Sequence, residues 1–307
     1  MIRPQAILVF IVVLVVVLSG AATVARNVID GPDTPAPNEV AGTTSLLASI
    51  PATTPTSDTA PTATPRLEPT PTATPESTRT PVPRPTATVR PAPPALADAG
   101  QAVSIDEGTS GRREVALTFD AGDGRGYTEQ ILDLLAAEGV IATFGVTGKW
   151  AETYPDLMRR IVADGHMVIN HTYDHSSFTG NSTVKKPLTP SQRAEQLERT
   201  EQIIADLTGY RTAPYFRFPY GDYDAESLEH IAAAGYPLAI RWSCDSLAWR
   251  GDSAAQIVQK CGQDAEPGAI VLLHVDPIAD YEALPGLIGA LRERDFALVT
   301  VEQLLQP

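Results

Sequence analysis

The sequence predicts an α/β domain, a distorted (β/α) barrel of about seven parallel strands, in the C-terminal two thirds of the chain. Short apolar runs recur along this part, and helical patterns lie between them. Such runs are typical of strands buried on both faces of a sheet, and strand–helix alternation implies right-handed crossovers between parallel strands. In addition, polar residues suited to catalysis follow several of the runs, as they do at the C-terminal strand ends of a barrel.

Each element is predicted from its hydrophobic pattern. The strands are expected where the apolar runs are short, at Val115–Phe119, Ala142–Val146, Met167–Asn170, Tyr215–Phe218, Leu238–Ser243, Ala269–Leu273 and Phe296–Val299. The helices are expected where apolar residues recur with a period of about 3.6, at Thr128–Ala137, Glu152–Ala163, Pro190–Leu207, Ala225–Ala234, Ser253–Lys260 and Tyr281–Arg292. Thr189 or Ser191 can cap the third helix, and glycines follow several helices where these should stop, at positions 139, 165, 209 and 235.

The domain is expected to span residues 112–307, and two other segments precede it. Residues 1–30 contain an uncharged apolar stretch, 6–24, and spanning a bilayer takes about 20 such residues. This stretch predicts either an uncleaved membrane anchor or a cleaved signal peptide. Residues 31–98 are rich in Pro, Thr and Ala, which predicts a disordered, extended stalk. We therefore expect an extracytoplasmic domain, anchored at the cell surface or secreted.

The charge of the chain limits its partners. The net charge is −14, and the predicted domain has no basic stripe. An acidic domain of this kind argues against nucleic acid and against anionic lipid surfaces as partners. A neutral or cationic polymer is compatible with it, and we expect the domain to be a monomer.

The chain has two cysteines, Cys244 and Cys261. We expect Cys244 at the end of a strand and Cys261 at the far end of the helix that follows. That helix of about ten residues carries the chain on the order of 15 Å, whereas a disulfide requires Cα atoms within about 7 Å. Two buried free thiols are therefore expected, although an exported chain could oxidise them.

Polar residues at the predicted strand ends suggest metal-assisted hydrolysis. His171 and His175 have the i, i+4 spacing of a histidine pair that can bind zinc, although such a pair also arises by chance. His274 ends another strand, Asp120 would emerge at the mouth of the barrel, and Arg217 could pair with a carboxylate. Three of the five histidines thus fall at strand ends, which favours a site over chance.

The order of these motifs along the chain resembles that of a known enzyme family. Thr118-Phe119-Asp120, His171-x-x-x-His175, Arg217-x-Pro-Tyr220, Asp245-x-x-x-Trp249 and Leu272-x-His274 are together similar to the polysaccharide deacetylases, the NodB-homology domain of carbohydrate esterase family 4. The resemblance covers nearly the whole predicted domain. It implies a distorted (β/α) barrel and hydrolytic removal of acetyl groups, most often N-acetyl, from an acetylated glycan such as peptidoglycan or a chitin-like chain. It also implies a divalent metal, usually zinc.

The resemblance implies a role for each motif residue. Asp120 is similar to the general base, Arg217 to the residue that steadies it, and His274 to the acid that protonates the leaving amine. His171 and His175 resemble metal ligands. The remaining implied positions are the Tyr220 backbone N–H, which would stabilise the oxyanion, and the acetyl-pocket residues Trp249 and Leu272. These roles agree with the chemistry of amide hydrolysis, in which a base and an acid act on opposite sides of a tetrahedral centre.

Two positions depart from the family pattern. Ala121 stands where the family usually has a metal-binding aspartate, and Asp123, in a Gly-Asp-Gly turn that we expect to be flexible, is the nearest substitute; the other interpretation is a simple turn residue. Ala248 stands where many relatives carry an aspartate that pairs with the acid histidine. Either Asp245 supplies that carboxylate or His274 lacks one.

These departures leave two functions open. The first is a metal-dependent deacetylase, and the second is a catalytically inactive, glycan-binding wall protein with the same fold. The enzyme is favoured because a full set of base, acid and metal-ligand residues has little structural reason to persist.

Overall fold

The computed structural model describes residues 100–108 and 111–306. The predicted membrane segment and stalk lie outside these residues. Among the residues that are described, no helix is long and apolar enough to cross a membrane.

The described part of the chain forms one nine-stranded sheet in which every strand pairing is parallel. The strands are β1 (Val103–Ile105), β2 (Glu114–Ala121), β3 (Thr143–Val146), β4 (Met167–Asn170), β5 (Tyr215–Phe216), β6 (Leu238–Ile240), β7 (Cys244–Asp245), β8 (Ile270–His274) and β9 (Ala297–Leu298). Their order is β1-β6-β5-β4-β3-β2-β8-β7, and β9 pairs with the start of β2. Within the described residues no pairing joins β1 to β7, so the sheet is a curled, open barrel, which agrees with the predicted fold class.

Most helices connect the strands on the outside of the sheet, whereas the last helix follows β9 and packs against the inner cluster of the barrel. They are α1 (Thr128–Glu138), α2 (Gly148–Thr153), α3 (Pro155–Ala163), α4 (Pro190–Thr208), α5 (Ala225–Ala233), α6 (Ala254–Ile257), α7 (Ile278–Glu293) and α8 (Val301–Leu304), with a π-helix at Val258–Gln263 directly after α6. Two 3₁₀ turns lie at Pro219–Gly221 and Ala248–Arg250. The capping residue of α4 is Thr189, whose hydroxyl accepts the Gln192 N–H while the Gln192 side chain accepts the Thr189 N–H, so of the two candidates it is the first that caps.

The central strand β2 divides the core into two layers. Its residues at 115, 117, 119 and 121 are buried in the layer between the sheet and the helices. Ala116 instead packs inside the barrel, in a cluster that includes residues from β1, β4, β5, β6, β8 and α8. Because side chains alternate along a strand, Thr118 and Asp120 share the inner face with Ala116, and this places Asp120 at the upper end of the barrel interior.

The register of the sheet brings the predicted site residues to one end. Asp120 on β2 is paired with His274 on β8, and Asn170, which ends β4, is paired with Phe216 on β5. His171 follows Asn170 directly, and Arg217 follows Phe216 directly. The C-terminal ends of four parallel strands therefore present these side chains to the same opening.

Several elements differ from their predicted bounds. Strand β1 precedes the expected domain start at residue 112 and pairs with β6. The predicted strand Leu238–Ser243 is shorter than expected, because β6 ends at Ile240, and the unpredicted strand β7 begins just beyond it at Cys244. The predicted helix Glu152–Ala163 is likewise two helices, because Pro155 begins α3 at its first position, where proline is favoured.

The expectation of two free thiols is wrong. Cys244 and Cys261 form a disulfide, with Cα atoms 5.7 Å apart. Cys244 lies at the start of β7, so the chain runs through β7 and its loop before it turns back through α6 and the π-helix. Because the two directions oppose each other, Cys261 returns to the vicinity of Cys244. The reach estimate considered the helix alone and placed Cys244 at the end of its strand.

Candidate active site

A cavity of about 590 Å³ opens at the C-terminal ends of the strands. All but one of the predicted site residues line it; the lining residues used below are Asp120, Asp123, His171, His175, Tyr220, Trp242, Asp245, Trp249, Leu272, His274 and Asp276. The exception is Arg217, which lies below the cavity floor with a fully buried side chain. A size of several hundred cubic ångströms is typical of small-ligand sites, and one sugar unit fits within that range.

Arg217 is bound to the barrel interior through all three of its guanidinium nitrogens. Nη1 donates to Thr118 Oγ1 and to Asp120 Oδ1, both at 2.9 Å. Nε and Nη2 donate to backbone carbonyl oxygens of residues 240 and 241, at 3.2 and 3.1 Å. A buried charge is tolerated when it is paired and its donors are satisfied, and these bonds fix the position of the Asp120 carboxylate.

The Asp120 carboxylate remains ionised although it is buried. Burial alone would raise the pKa of Asp120, but the charge and hydrogen bond of Arg217, together with His171 and His274, hold that pKa below its usual value. Gly145 on β3 makes room for this carboxylate, because a Cβ at position 145 would collide with Asp120 Oδ1. Asp120 can therefore act as a proton acceptor in the ordinary pH range.

The two histidines of the pair are held by a loop, not by a helical turn. Asn170 anchors the loop by donating to the Leu197 carbonyl at 3.0 Å and to the Tyr236 hydroxyl at 2.9 Å. Thr172 and His175 both have left-handed backbones, with φ of 68° and 61°, a conformation that costs on the order of 1–3 kcal/mol in non-glycine residues. The Thr172 hydroxyl stabilises the loop by accepting the His175 N–H at 3.1 Å.

The geometry of the pair leaves a buried imidazole nitrogen without a partner among the described residues. His171 Nδ1 lies 2.9 Å from the Arg217 carbonyl oxygen, so it carries the proton and donates. The unpartnered nitrogen is His171 Nε2, which lies 3.5 Å from Asp120 Oδ2. The His175 ring packs edge-on against His171, with 4.8 Å between ring centroids.

Both histidines are neutral at ordinary pH. Burial, together with a smaller effect of neighbouring His171, lowers the pKa of His175 to about 3. Burial also lowers the pKa of His171, against the opposing effect of Asp120. Neutral imidazoles with a free ring nitrogen are zinc ligands, so the donor chemistry of this pair fits two metal ligands. Among the described residues, however, no group of three or more His, Cys, Asp and Glu side chains is arranged to hold an ion.

Asp123 is exposed at the rim of the cavity. The glycine carbonyls on both sides of it are hydrogen-bonded: Gly122 accepts from Thr147 Oγ1 at 3.1 Å, and Gly124 accepts from Trp150 Nε1 at 2.7 Å. Ala121 is fully buried in the outer apolar layer. The assignment of Asp123 as a metal ligand stays a prediction.

The carboxylate beside His274 is Asp280, not Asp245. The His274 backbone N–H donates to Asp280 Oδ2 at 2.9 Å, and the same oxygen lies 3.7 Å from His274 Nδ1. Asp245 accepts the Leu247 N–H through Oδ1 at 2.9 Å and belongs to the wall of the cavity. Burial alone would lower the pKa of His274, but Asp280, Asp120 and Asp245 together raise it above its usual value.

The walls of the cavity are aromatic and apolar. Tyr220 is half exposed and has a left-handed backbone, with φ of 61°; its ring lies edge-on to His175 at 4.5 Å. Trp249 is 58% exposed at the tip of the loop after β7, and Leu272 is buried on β8. Exposed aromatic faces beside a buried apolar residue suit a sugar ring with an attached acetyl group.

Sequence reasoning missed several residues of this site. Asp280 was overlooked because an acidic residue before a predicted helix is normally a helix-start signal. Asp276 and Trp242, which line the cavity, carried weaker signals, the first as a polar residue shortly after a strand end. Gly145 lies inside a predicted strand, where an isolated glycine can indicate close approach of another group.

The chain is similar in sequence to known polysaccharide deacetylases. A sequence family described as polysaccharide deacetylase matches residues 107–239. A chitooligosaccharide deacetylase of Rhizobium leguminosarum bv. trifolii is 34% identical over 216 residues, which is 66% of this chain and 96% of that protein.

Two solved structures have the same fold. The crystal structure of a peptidoglycan N-acetylglucosamine deacetylase superposes with a TM-score of 0.61 at 29% identity, over 66% of this chain and 92% of that one. A family 4 carbohydrate esterase pseudoenzyme from Bacillus anthracis superposes with a TM-score of 0.60 at 26% identity, over 66% and 69% of the two chains. The fold alone therefore does not distinguish an active from an inactive member.

Proposed function

Because the chain belongs to the polysaccharide deacetylase family, we propose that it hydrolyses the acetamide of N-acetylated sugar residues in an extracellular glycan. The observation that carries this proposal is the placement of a charged carboxylate, Asp120, and an imidazole with raised pKa, His274, on adjacent strands beside a neutral histidine pair. Amide hydrolysis needs a base for water and an acid for the leaving amine. Both groups are present at one cavity of the right size.

In this mechanism Asp120 is the general base. Arg217 holds one carboxylate oxygen at 2.9 Å, which leaves the other oxygen to accept a proton from the attacking water. The water adds to the acetyl carbonyl and forms a tetrahedral intermediate. We propose that the backbone N–H of Tyr220 stabilises its oxyanion, as the resemblance implies, and that Leu272 and Trp249 enclose the acetyl methyl group.

His274 is the general acid of the second step. The carbon–nitrogen bond of the tetrahedral intermediate breaks, and its electron pair stays on the nitrogen. His274 donates its proton to that nitrogen, so the products are acetate and a free amino sugar. A raised pKa favours the protonated imidazole that this step requires.

We further propose that the site requires a divalent metal, with zinc as the first candidate. His171 and His175 would hold it, through the unpartnered Nε2 of the first and the ring of the second, and Asp123 is the candidate third ligand. When bound, such an ion would polarise the acetyl carbonyl and lower the pKa of a water molecule. Support for the metal is the donor chemistry of the histidine pair together with the family resemblance.

The substrate and location are proposed from chemistry and sequence. The named relatives act on chitooligosaccharide and on peptidoglycan N-acetylglucosamine, and N-acetylglucosamine is common to both. The apolar segment 6–24 and the Pro/Thr-rich segment 31–98 support an extracytoplasmic domain at the cell surface or released from it.

Acetate release tests the proposal. Purified protein would be incubated with N-acetylated chitooligosaccharides, peptidoglycan and an O-acetylated xylan, with zinc and with a chelator. We expect acetate from at least one N-acetylated glycan and its loss with chelator. Binding of a glycan without acetate release under every metal condition would instead support the inactive wall-binding protein.

A further inference from the structure

The acid histidine lies against a carboxylate that comes from a different part of the fold than expected. His274 is the last residue of β8, and Asp280 lies in the first turn of α7. The Asp280 side chain is fully buried, although a carboxylate is rarely buried without a partner. Its immediate neighbour is His274.

One oxygen of Asp280 contacts both the backbone and the ring of His274. Oδ2 accepts the His274 N–H at 2.9 Å, which is a normal hydrogen bond. The same Oδ2 lies 3.7 Å from His274 Nδ1, which is an ion-pair distance but too long for a hydrogen bond. Among the described residues, neither His274 Nδ1 nor Asp280 Oδ1 has a hydrogen-bond partner. A shift of a few tenths of an ångström would bring Oδ2 within hydrogen-bond distance of Nδ1.

The rival carboxylate is already engaged elsewhere. Asp245 Oδ1 accepts the Leu247 N–H at 2.9 Å and so closes the turn after β7. Asp245 is also only partly buried and lines the cavity. Within the described residues, Asp280 is the carboxylate that comes within 4.0 Å of a His274 ring nitrogen.

We propose that Asp280 is the positioning residue for His274, a role that rests on the proposed deacetylase function. Asp280 holds the proton on Nδ1 and fixes the ring plane, so Nε2 is the nitrogen that faces the substrate and donates. A buried carboxylate on Nδ1 fixes the tautomer and orientation of an imidazole and stabilises its protonated form. The charge also lies at the N-terminus of a 16-residue helix, α7, where a negative charge is stabilised.

Stabilisation of the start of α7 is a purely structural explanation for the buried Asp280, and the experiment must distinguish it from a role toward His274. A carboxylate in the first turn of α7 would stabilise the helix even if it did nothing to the imidazole. Several titratable groups besides Asp280 face His274 from neighbouring elements, and a pH profile reflects all of them. They are Asp120 on β2, His171 and His175 in the loop after β4, Asp245 on β7 and Asp276 after β8.

The test compares Asp280→Asn with two other charge removals. The asparagine keeps the size of the side chain and an oxygen for the His274 N–H, but it removes the charge from Nδ1. We expect kcat for deacetylation to fall about 10- to 100-fold with KM nearly unchanged. In a plot of kcat against pH, the fall on the alkaline side should move to lower pH, because the protonated imidazole loses its stabilising charge.

Glu282→Gln is the matched control, because Glu282 is exposed near the start of the same helix. It should keep the parent kcat and pH profile. Asp245→Asn tests the rival carboxylate and should move the alkaline fall in kcat less than Asp280→Asn does. The proposal would be overturned if Asp280→Asn kept the kcat and the alkaline fall in kcat of the parent protein. It would also be overturned if Asp245→Asn moved that fall further than Asp280→Asn does.

A measurement on the unmodified protein covers the case in which Asp280→Asn does not fold. Nitrogen NMR of the His274 ring, at a pH where the imidazole is neutral, reports which nitrogen carries the proton. A proton on Nδ1 supports the proposal, and a proton on Nε2 refutes it. This readout needs no turnover, so it also distinguishes a failed deacetylase assignment from a failed His274–Asp280 pair.

Discussion

The carboxylate of Asp120 and the guanidinium of Arg217 form a hydrogen-bonded ion pair, 2.9 Å between Oδ1 and Nη1, inside the barrel. The arginine comes from the residue after β5, and the aspartate comes from β2. Since Arg217 is fully buried and also bound to Thr118, the pair is rigid. One carboxylate oxygen is thus fixed in place, and the other remains available to the cavity.

Asp120→Asn should abolish nearly all turnover while glycan binding remains. The amide keeps the shape of the side chain but cannot accept a proton, and general acid–base groups contribute about 100- to 10,000-fold. The measurement is kcat for acetate release together with glycan affinity by calorimetry. Thermal unfolding is the control, because loss of the charge leaves Arg217 without its ionic partner. Residual activity within a few-fold of the parent would exclude Asp120 as the base.

His171→Ala should remove both bound metal and activity. The mutation deletes the buried Nε2 that has no protein partner, and two neutral imidazoles are the minimum of the proposed site. The measurement is metal content after reconstitution with zinc, cobalt or manganese. His230→Ala is the matched control, because His230 lies on α5 beside Arg193. If the parent retains no stoichiometric ion after reconstitution, the metal proposal fails.

Asp123→Ala should weaken metal binding more than Asp123→Asn does, if Asp123 replaces the ligand absent at Ala121. Asparagine retains one oxygen that can coordinate, whereas alanine retains none. Titration of the apoprotein with zinc gives both affinities. Parent-like affinity in both variants would identify Asp123 as a turn residue only, which its exposure at the cavity rim also permits.

His274→Ala should slow cleavage of an acetamide more than cleavage of an activated acetyl ester. The amine of the amide leaves poorly without a proton, whereas an activated alcohol needs little help. Parallel kcat/KM measurements on an N-acetylated oligosaccharide and an activated aryl acetate give the ratio. Equal losses on both substrates would rule out His274 as the acid.

Reduction of the Cys244–Cys261 disulfide should destabilise the domain by about 3 kcal/mol. The bridge closes a loop across 17 residues, and constraining a loop of about that length in the unfolded chain is worth roughly this amount. Denaturant unfolding with and without a reductant measures the change. The Cys244→Ser/Cys261→Ser double variant is the control and should not respond to the reductant. An unchanged midpoint on reduction of the parent would contradict the prediction.

The central strands could be predicted closely from the sequence. Met167–Asn170 is a strand with the predicted bounds, and Ala142–Val146 differs from β3 by one residue. These strands lie in the middle of the sheet and are buried on both faces, so their continuous apolar runs are distinctive. Strand β1 was missed because it has only three residues and two of them, a valine and a serine at the sheet edge, are partly exposed.

The remaining features of the site depend on the path of the chain between elements. The contact between His274 and Asp280 depends on how tightly the three residues 275–277 turn between β8 and α7. The disulfide depends on the path of the loop between β7 and α6. Neither is encoded in a period of hydrophobicity. The left-handed backbones of Thr172 and His175 were equally hidden, because residues other than glycine, and β-branched threonine above all, seldom adopt that conformation.

The register between β2 and β8 makes the spacing of the proposed base and acid a property of the backbone. Asp120 and His274 are opposite one another in adjacent strands, and a slip of one residue would turn either side chain to the other face of the sheet. The loops that carry Trp249 and Tyr220 have no part in that pairing. Insertions in the Trp249 loop, or exchanges of the Trp249 and Tyr220 side chains, can therefore change which glycan is accepted without altering the distance between base and acid. A directed-evolution library for new acetylated polymers should accordingly vary these positions. It should leave constant the two strands and the backbone at Tyr220, whose N–H is the proposed oxyanion donor.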